Sequence, residues 1–173
     1  MTSNGHHVSS PSGLAKWAQV MRAPFLTATL VPVAIGLTWA MVQRAVDWAL
    51  LPIVVIGAVA LHVAANCFND YFDWKSGADE INDDFFEDFT GGSRAIQQGL
   101  VAPDTMYWVG TSASIVAMTC GIALLMRGWG IVAFGLVGLA TAYFYTAPPL
   151  RLVARKGMGE LVVGLNFGPL MVA

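Results

Sequence analysis

Four charge-free runs govern what this chain can become. Residues 23–43, 48–69, 105–126 and 128–150 carry no Asp, Glu, Lys or Arg over 21, 22, 22 and 23 positions. About 20 predominantly apolar residues suffice to cross the hydrocarbon core of a bilayer. Backbone in lipid must satisfy its polar groups within its own segment, so each run reads as an α-helix. Charged residues make up 12% of the chain, about half the share found in soluble domains. The expected fold is all-α, a multi-helix transmembrane bundle with four full spans. A fifth apolar run, residues 161–173, is 13 residues long and reaches about two-thirds of the way across. It is expected to be a truncated fifth span, the chain being the front part of a longer protein.

Around these runs the chain divides simply. Residues 1–13 are polar and read as a disordered tail, without the apolar core and cleavage site of a signal peptide. Residues 14–173 form the membrane portion. Leu14, Trp17 and Met21 share one helical face, with Lys16 and Arg22 near phosphate depth, which predicts a short interfacial helix. Residues 44–47 and the pair Arg127-Gly128 are tight turns joining the first and second hairpins. Between the second and third runs lies a long, charge-rich loop, and loops of that length usually carry function. One side of the membrane receives Lys16, Arg22, Lys75, Arg94, Arg151, Arg155 and Lys156, the other only Arg44 and Arg127. The positive-inside rule then puts the N-terminus and the acidic loop in the cytoplasm. The expectation is an integral membrane protein of a bacterial or archaeal cell membrane. No basic surface suggests nucleic acid, and Cys67 and Cys120 lack metal or disulfide spacing.

The chemistry concentrates at the end of the second run. Eight of the eleven carboxylates fall between Asp70 and Asp88. Asn66, Asn69, Asp70 and Asp73 follow one another at helical spacing and share a helix end. Carboxylates at the mouth of a membrane helix are costly without a cation or partner. Hard oxygen donors of this kind suit Mg²⁺ with phosphate oxygens completing its shell. Lys75, Arg94, Arg22 and Arg151 are the candidate cations for a diphosphate. Asp83, Asp84, Glu87 and Asp88 read as solvated loop charges, and His62 as a buried packing residue.

NDYFDWKSGAD resembles the first Asp-rich motif of the UbiA superfamily of intramembrane prenyltransferases. Here it comprises Asn69, Asp70, Asp73 and, six residues on, Asp79. The spacing is most similar to the 1,4-dihydroxy-2-naphthoate polyprenyltransferase branch. MRAPFLTATLVPVAIG, TGGSRAIQQGLV, YTAPPLR and GMGELVVGLNFGPLMV resemble further segments of that family.

The resemblance implies nine helices around a central cavity and two Asp-rich motifs holding a polyprenyl diphosphate through Mg²⁺. It implies Asn69, Asp70, Asp73 and Asp79 as metal ligands, with Asp70 and Asp73 catalytic. It also implies transfer of the polyprenyl group to an aromatic acceptor such as 1,4-dihydroxy-2-naphthoate in menaquinone biosynthesis. Tyr143 and Tyr145 are candidates for the acceptor side, and Asn66 for orienting the ligands. After Asp88 the only acids are Asp104 and Glu160, so a second motif would belong to a missing C-terminal half that activity requires. The alternatives are a prenyltransferase for another aromatic or quinone precursor, an inactive fragment, or a non-enzymatic membrane subunit. The last would place acids inside several spans, whereas these spans are clean. A CDP-alcohol phosphotransferase would need a DG-x-x-AR pattern that the chain lacks.

Overall fold

The computed structural model describes residues 13–78 and 92–172. The polar tail up to residue 12, Asp79 and the acids through Asp88 lie outside them. Among the described residues every regular element is helical. They are α1 (Leu14–Val20), α2 (Leu26–Val42), α3 (Leu51–Ser76), α4 (Pro103–Leu124), α5 (Trp129–Phe144) and α6 (Met158–Leu165). Short 3-10 turns precede α2 at Ala23–Phe25 and extend α4 at Leu125–Arg127.

Among the described residues three segments are long and apolar enough to cross a membrane: Ala23–Val42, Leu51–Ser76 and Pro103–Arg127. The fourth expected span is shorter. Helix α5 has 16 residues, roughly 24 Å at 1.5 Å per residue. Its charge-free run continues, but the backbone turns at Thr146–Leu150 around Pro148-Pro149, where proline withholds its N–H from a helix. Helix α6 ends at a kink, with Gly168 outside helical geometry and Pro169 following.

The second run errs in the opposite direction. Charge at Asp70, Asp73 and Lys75 does not stop α3, which continues to Ser76. Gly77, at φ 71°, closes it in the left-handed conformation that glycine adopts without penalty.

Helices α3 and α4 share the most extensive interface. A Cβ on Gly110 would stand 3.2 Å from both Cys67 Cβ and the Phe68 ring. Small residues permit this approach between membrane helices. One core cluster joins Val20 of α1, Val63 and Cys67 of α3, Ala95, Ile96 and Val101 of the following segment, and Met106 of α4. Helix α1 forms as expected, yet its buried side chain is Val20, flanked by Trp17 and Met21, whereas Leu14 is exposed. A second cluster is aromatic: Phe68 meets Tyr107 and Tyr143 at 5.8 and 5.1 Å, and Phe72 meets Tyr143 at 5.5 Å. Outward-facing Ile35, Trp39, Trp108, Ile115, Ile122 and Leu136 are exposed, as lipid-facing positions require.

The two ends of the bundle differ in character. At one, Asp47 and Arg127 form an ion pair that joins the α2–α3 turn to the end of α4. At the other, Gln19 of α1 bridges to Ser93 and Gln98. His62 lies between them, buried and hydrogen-bonded to Thr29 at 2.8 Å.

Candidate functional site

The last turns of α3 bring Asn66, Asn69, Asp70 and Asp73 to one end of the bundle. Helical spacing does this directly, since residues three and four apart stack on one face. The Asn69 amide donates to Asp73 Oδ2 at 2.9 Å. Asn66 donates to the His62 carbonyl at 2.9 Å, and its Oδ1 faces Arg22 Nη1 at 3.5 Å. Asp70 is 3% exposed. A charge so buried must be paired or hydrogen-bonded. Ser93 supplies its backbone N–H to Oδ1 at 3.0 Å and its hydroxyl to Oδ2.

Gly92 makes that contact possible. A Cβ there would stand 2.5 Å from Asp70 Oδ1 and 3.9 Å from Asn69 Oδ1. Its φ of 77° is also one that side chains resist. The corner at Gly92 therefore lies against the oxygens of both residues.

Arg22 joins from the turn between α1 and α2. Burial pushes its guanidinium down from the ordinary value, while Asp70 and, less strongly, Tyr145 oppose the shift. Tyr145 responds in the opposite sense. Burial pushes its phenol up, Glu160 and Asp73 add to the rise, and Arg22 opposes it. Arg22, Asp70, Asp73, Tyr145 and Glu160 thus share one electrostatic neighbourhood. The Tyr145 hydroxyl lies 3.5 Å from where a Gly159 Cβ would be, which fixes it against the start of α6.

Four non-glycine residues adopt positive φ among those described, and all are arginines: Arg22, Arg44, Arg94 and Arg151. Such backbone costs of order 1–3 kcal/mol and concentrates at functional sites. Arg22, Arg94 and Arg151 are three of the four cations expected at a diphosphate. Arg94 directly follows Ser93, and both Arg94 and Arg151 are half-buried. Arg44 occupies the tight turn after α2, so the conformation alone does not define a site.

The other expected residues distribute themselves less simply. Lys75 is exposed, with its Nζ 5.5 Å from the Tyr71 ring. Tyr143 packs within the aromatic cluster against Phe68 and Phe72. Asp79 lies outside the described residues, among which no three acidic, His or Cys side chains gather as a metal cluster. Sequence reasoning assigned no role to Gly92, Ser93, Gln19 or Glu160. The Gly-Gly pair was the available signal for Gly92, because paired glycines mark a close backbone approach.

Comparison with known proteins gives a consistent result. The model of the UbiA prenyltransferase family matches residues 29–173. The 1,4-dihydroxy-2-naphthoate octaprenyltransferase of Bacillus subtilis (strain 168) is 30% identical over 176 residues, covering 99% of this chain and 54% of that protein. The protein of the same name from Mycobacterium tuberculosis is 30% identical over 165 residues, covering 93% and 53%. UbiA prenyltransferase domain-containing protein 1 of Danio rerio is 26% identical over 169 residues, covering 93% and 46%. The chain spans about half the length of the curated relatives it matches. No solved structure matches significantly.

Proposed function

Because this chain belongs to the UbiA prenyltransferase family, we propose that it supplies the first part of the active site of an enzyme that prenylates an aromatic acceptor. The donor in this reading is a polyprenyl diphosphate and the acceptor 1,4-dihydroxy-2-naphthoate, the substrate class named for its bacterial relatives. The observation that carries it is the convergence of Asn69, Asp70 and Asp73 with Arg22 at one end of an apolar helix bundle.

The donor set fits Mg²⁺. Asp70, Asp73 and the Asn69 carbonyl are hard oxygens, which Mg²⁺ takes in ones and twos beside phosphate oxygens. Two bonds from Ser93 do not by themselves exhaust the roughly four acceptor positions of the Asp70 carboxylate. Asn69, Asp70, Asp73 and Asp79 would hold the ion. When bound, it neutralises charge on the departing diphosphate.

Arg22, with Arg94 and Arg151, takes the remaining phosphate oxygens, as guanidinium forks suit. The prenyl C1–O bond breaks with its electron pair on the diphosphate. The acceptor ring carbon then supplies the pair for the new carbon–carbon bond, and its carboxylate leaves as carbon dioxide, the pair of that broken bond restoring the aromatic ring. The Tyr145 phenol, kept protonated by burial and by Glu160, offers a neutral donor beside the developing charge. An apolar cavity of about 670 Å³ between α2, α3, α4, α5 and the kinked segment after α6, lined by Val33, Leu61, Phe134 and Leu170 among others, matches the chemistry of a prenyl tail. The proposed orientation places the Asp-bearing end in the cytoplasm.

The test uses membranes containing the protein that carries residues 1–173, supplied with a polyprenyl diphosphate and dihydroxynaphthoate. Prenylated, decarboxylated product that requires Mg²⁺ and disappears with a chelator is the expected result. Full turnover in excess chelator would remove the metal from the reading. Transfer to other aromatics but not to naphthoate would replace the acceptor.

A further inference from the structure

We propose that Ser93 is the positioning residue for Asp70, holding its carboxylate at the angle in which it meets a divalent cation. This rests on the reading of Asp70 as a metal ligand and adds to it a residue outside the Asp-rich motif. The contact is bidentate from a single residue. The Ser93 N–H reaches Oδ1 at 3.0 Å and the Ser93 hydroxyl reaches Oδ2, so both rotation and tilt of the carboxylate are fixed.

Ser93 is itself anchored by two further hydrogen bonds. Its Oγ accepts from the Ala95 N–H at 3.2 Å, which directs the hydroxyl proton away from Ala95 and toward Asp70. Its carbonyl accepts from Gln19 Nε2 at 3.1 Å, and the same amide group reaches Gln98 Oε1 at 2.8 Å. Gly92, without a Cβ, lets the corner descend onto the carboxylate. Asp70 and Ser93 lie 23 residues apart in sequence, so this arrangement comes from chain topology and not from the motif. Ligating carboxylates are regularly hydrogen-bonded by such partners, whose loss costs about 10–100-fold in metal affinity.

The measurement is Mn²⁺ affinity, read by electron paramagnetic resonance, of the purified protein in lipid nanodiscs. Wild type, Ser93→Ala, Ser93→Thr and Asp70→Asn are compared. Ser93→Ala is expected to weaken Mn²⁺ binding by about 10–100-fold. Ser93→Thr, which keeps the hydroxyl, restores it to within a few-fold, and Asp70→Asn loses it. If Asp70→Asn loses Mn²⁺ but Ser93→Ala binds as wild type does, the positioning role is overturned and the metal reading stands. If Asp70→Asn binds as wild type does, the metal reading falls and takes this proposal with it. Should Ser93→Ala lose its fold, the equal-volume pair Ser93→Thr and Ser93→Val decides. Retention by Thr with loss in Val supports the role; equal affinity in both overturns it.

Discussion

The Asn69 side-chain amide donates to Asp73 Oδ2 at 2.9 Å, one turn along α3. That bond orients both groups before any ligand arrives. It commits the Asn69 nitrogen to Asp73 and turns the Asn69 oxygen toward Gly92, where Asp70 Oδ1 also lies. The proposed oxygen donors are therefore arranged by hydrogen bonds within the protein, so little reorganisation is left for binding.

Asp70→Ala and Asp73→Ala are expected to reduce prenyl transfer at limiting Mg²⁺ by about 100-fold or more, since metal-borne charge stabilisation is worth several kcal/mol. Asp104→Ala is the control. Asp104 is exposed in the first turn of α4, where a carboxylate contributes at most about 1 kcal/mol through the helix dipole. Its initial rates should stay near wild type. Equal losses in all three would point to misfolding instead of lost chemistry.

Arg22→Gln and Arg127→Gln separate the two ends of the bundle. Arg22 faces Asn66 and Asp70, and its loss is expected to raise KM for the prenyl diphosphate at least tenfold. Arg127 pairs with Asp47 at the opposite end, half-exposed on both sides. Such exposed pairs contribute about 0–1 kcal/mol, so steady-state kinetics should be unchanged and Tm should move by a few degrees at most.

Gly92→Ala and Gly99→Ala share one penalty and differ in another. Both glycines have positive φ, 77° and 68°, which costs an L-residue about 1–2 kcal/mol. A Cβ at Gly92 also meets Asp70, whereas one at Gly99 meets nothing within 4 Å. Thermal unfolding should fall in both variants. Mn²⁺ affinity should fall only in Gly92→Ala.

Gly110→Leu should force α3 and α4 apart, because even a Cβ would press on Cys67 and Phe68 at 3.2 Å. Overpacking of this kind costs about 1–3 kcal/mol. Gly121→Leu, on the same helix with open space around it, should change stability by no more than about 0.5 kcal/mol. Unfolding midpoints of the two variants in matched lipid check the difference.

Three of the four expected spans and the clustering of Asn69, Asp70 and Asp73 were legible in the sequence, because absent charge and helical spacing act locally. Helix ends were not legible from charge alone. The fourth charge-free run includes the Pro148-Pro149 turn beyond Phe144, an end that the prolines mark and charge does not, and α3 runs past its own carboxylates until Gly77 stops it. Ser93 was illegible for a different reason. Its role depends on the segment after residue 92 folding back beneath α1, where Gln19 and Ile96 hold it. Lys75 shows the limit of composition. A cation two residues from Asp73 lies over Tyr71 because helical geometry turns it away.

The length of α3 has a consequence for how substrate is found. Its 26 residues extend roughly 39 Å, against about 30 Å of hydrocarbon. Counted from Leu51, Asp70 is the twentieth residue, so a span that begins at Leu51 would bring it to about the depth of the lipid headgroups. A donor with a diphosphate head and a hydrocarbon tail already occupies that depth in the leaflet. For the proposed substrate, capture is then a lateral search in two dimensions. Its rate would follow the donor's mole fraction in the lipid, so diluting the membrane with inert phospholipid would slow the reaction while adding water would not.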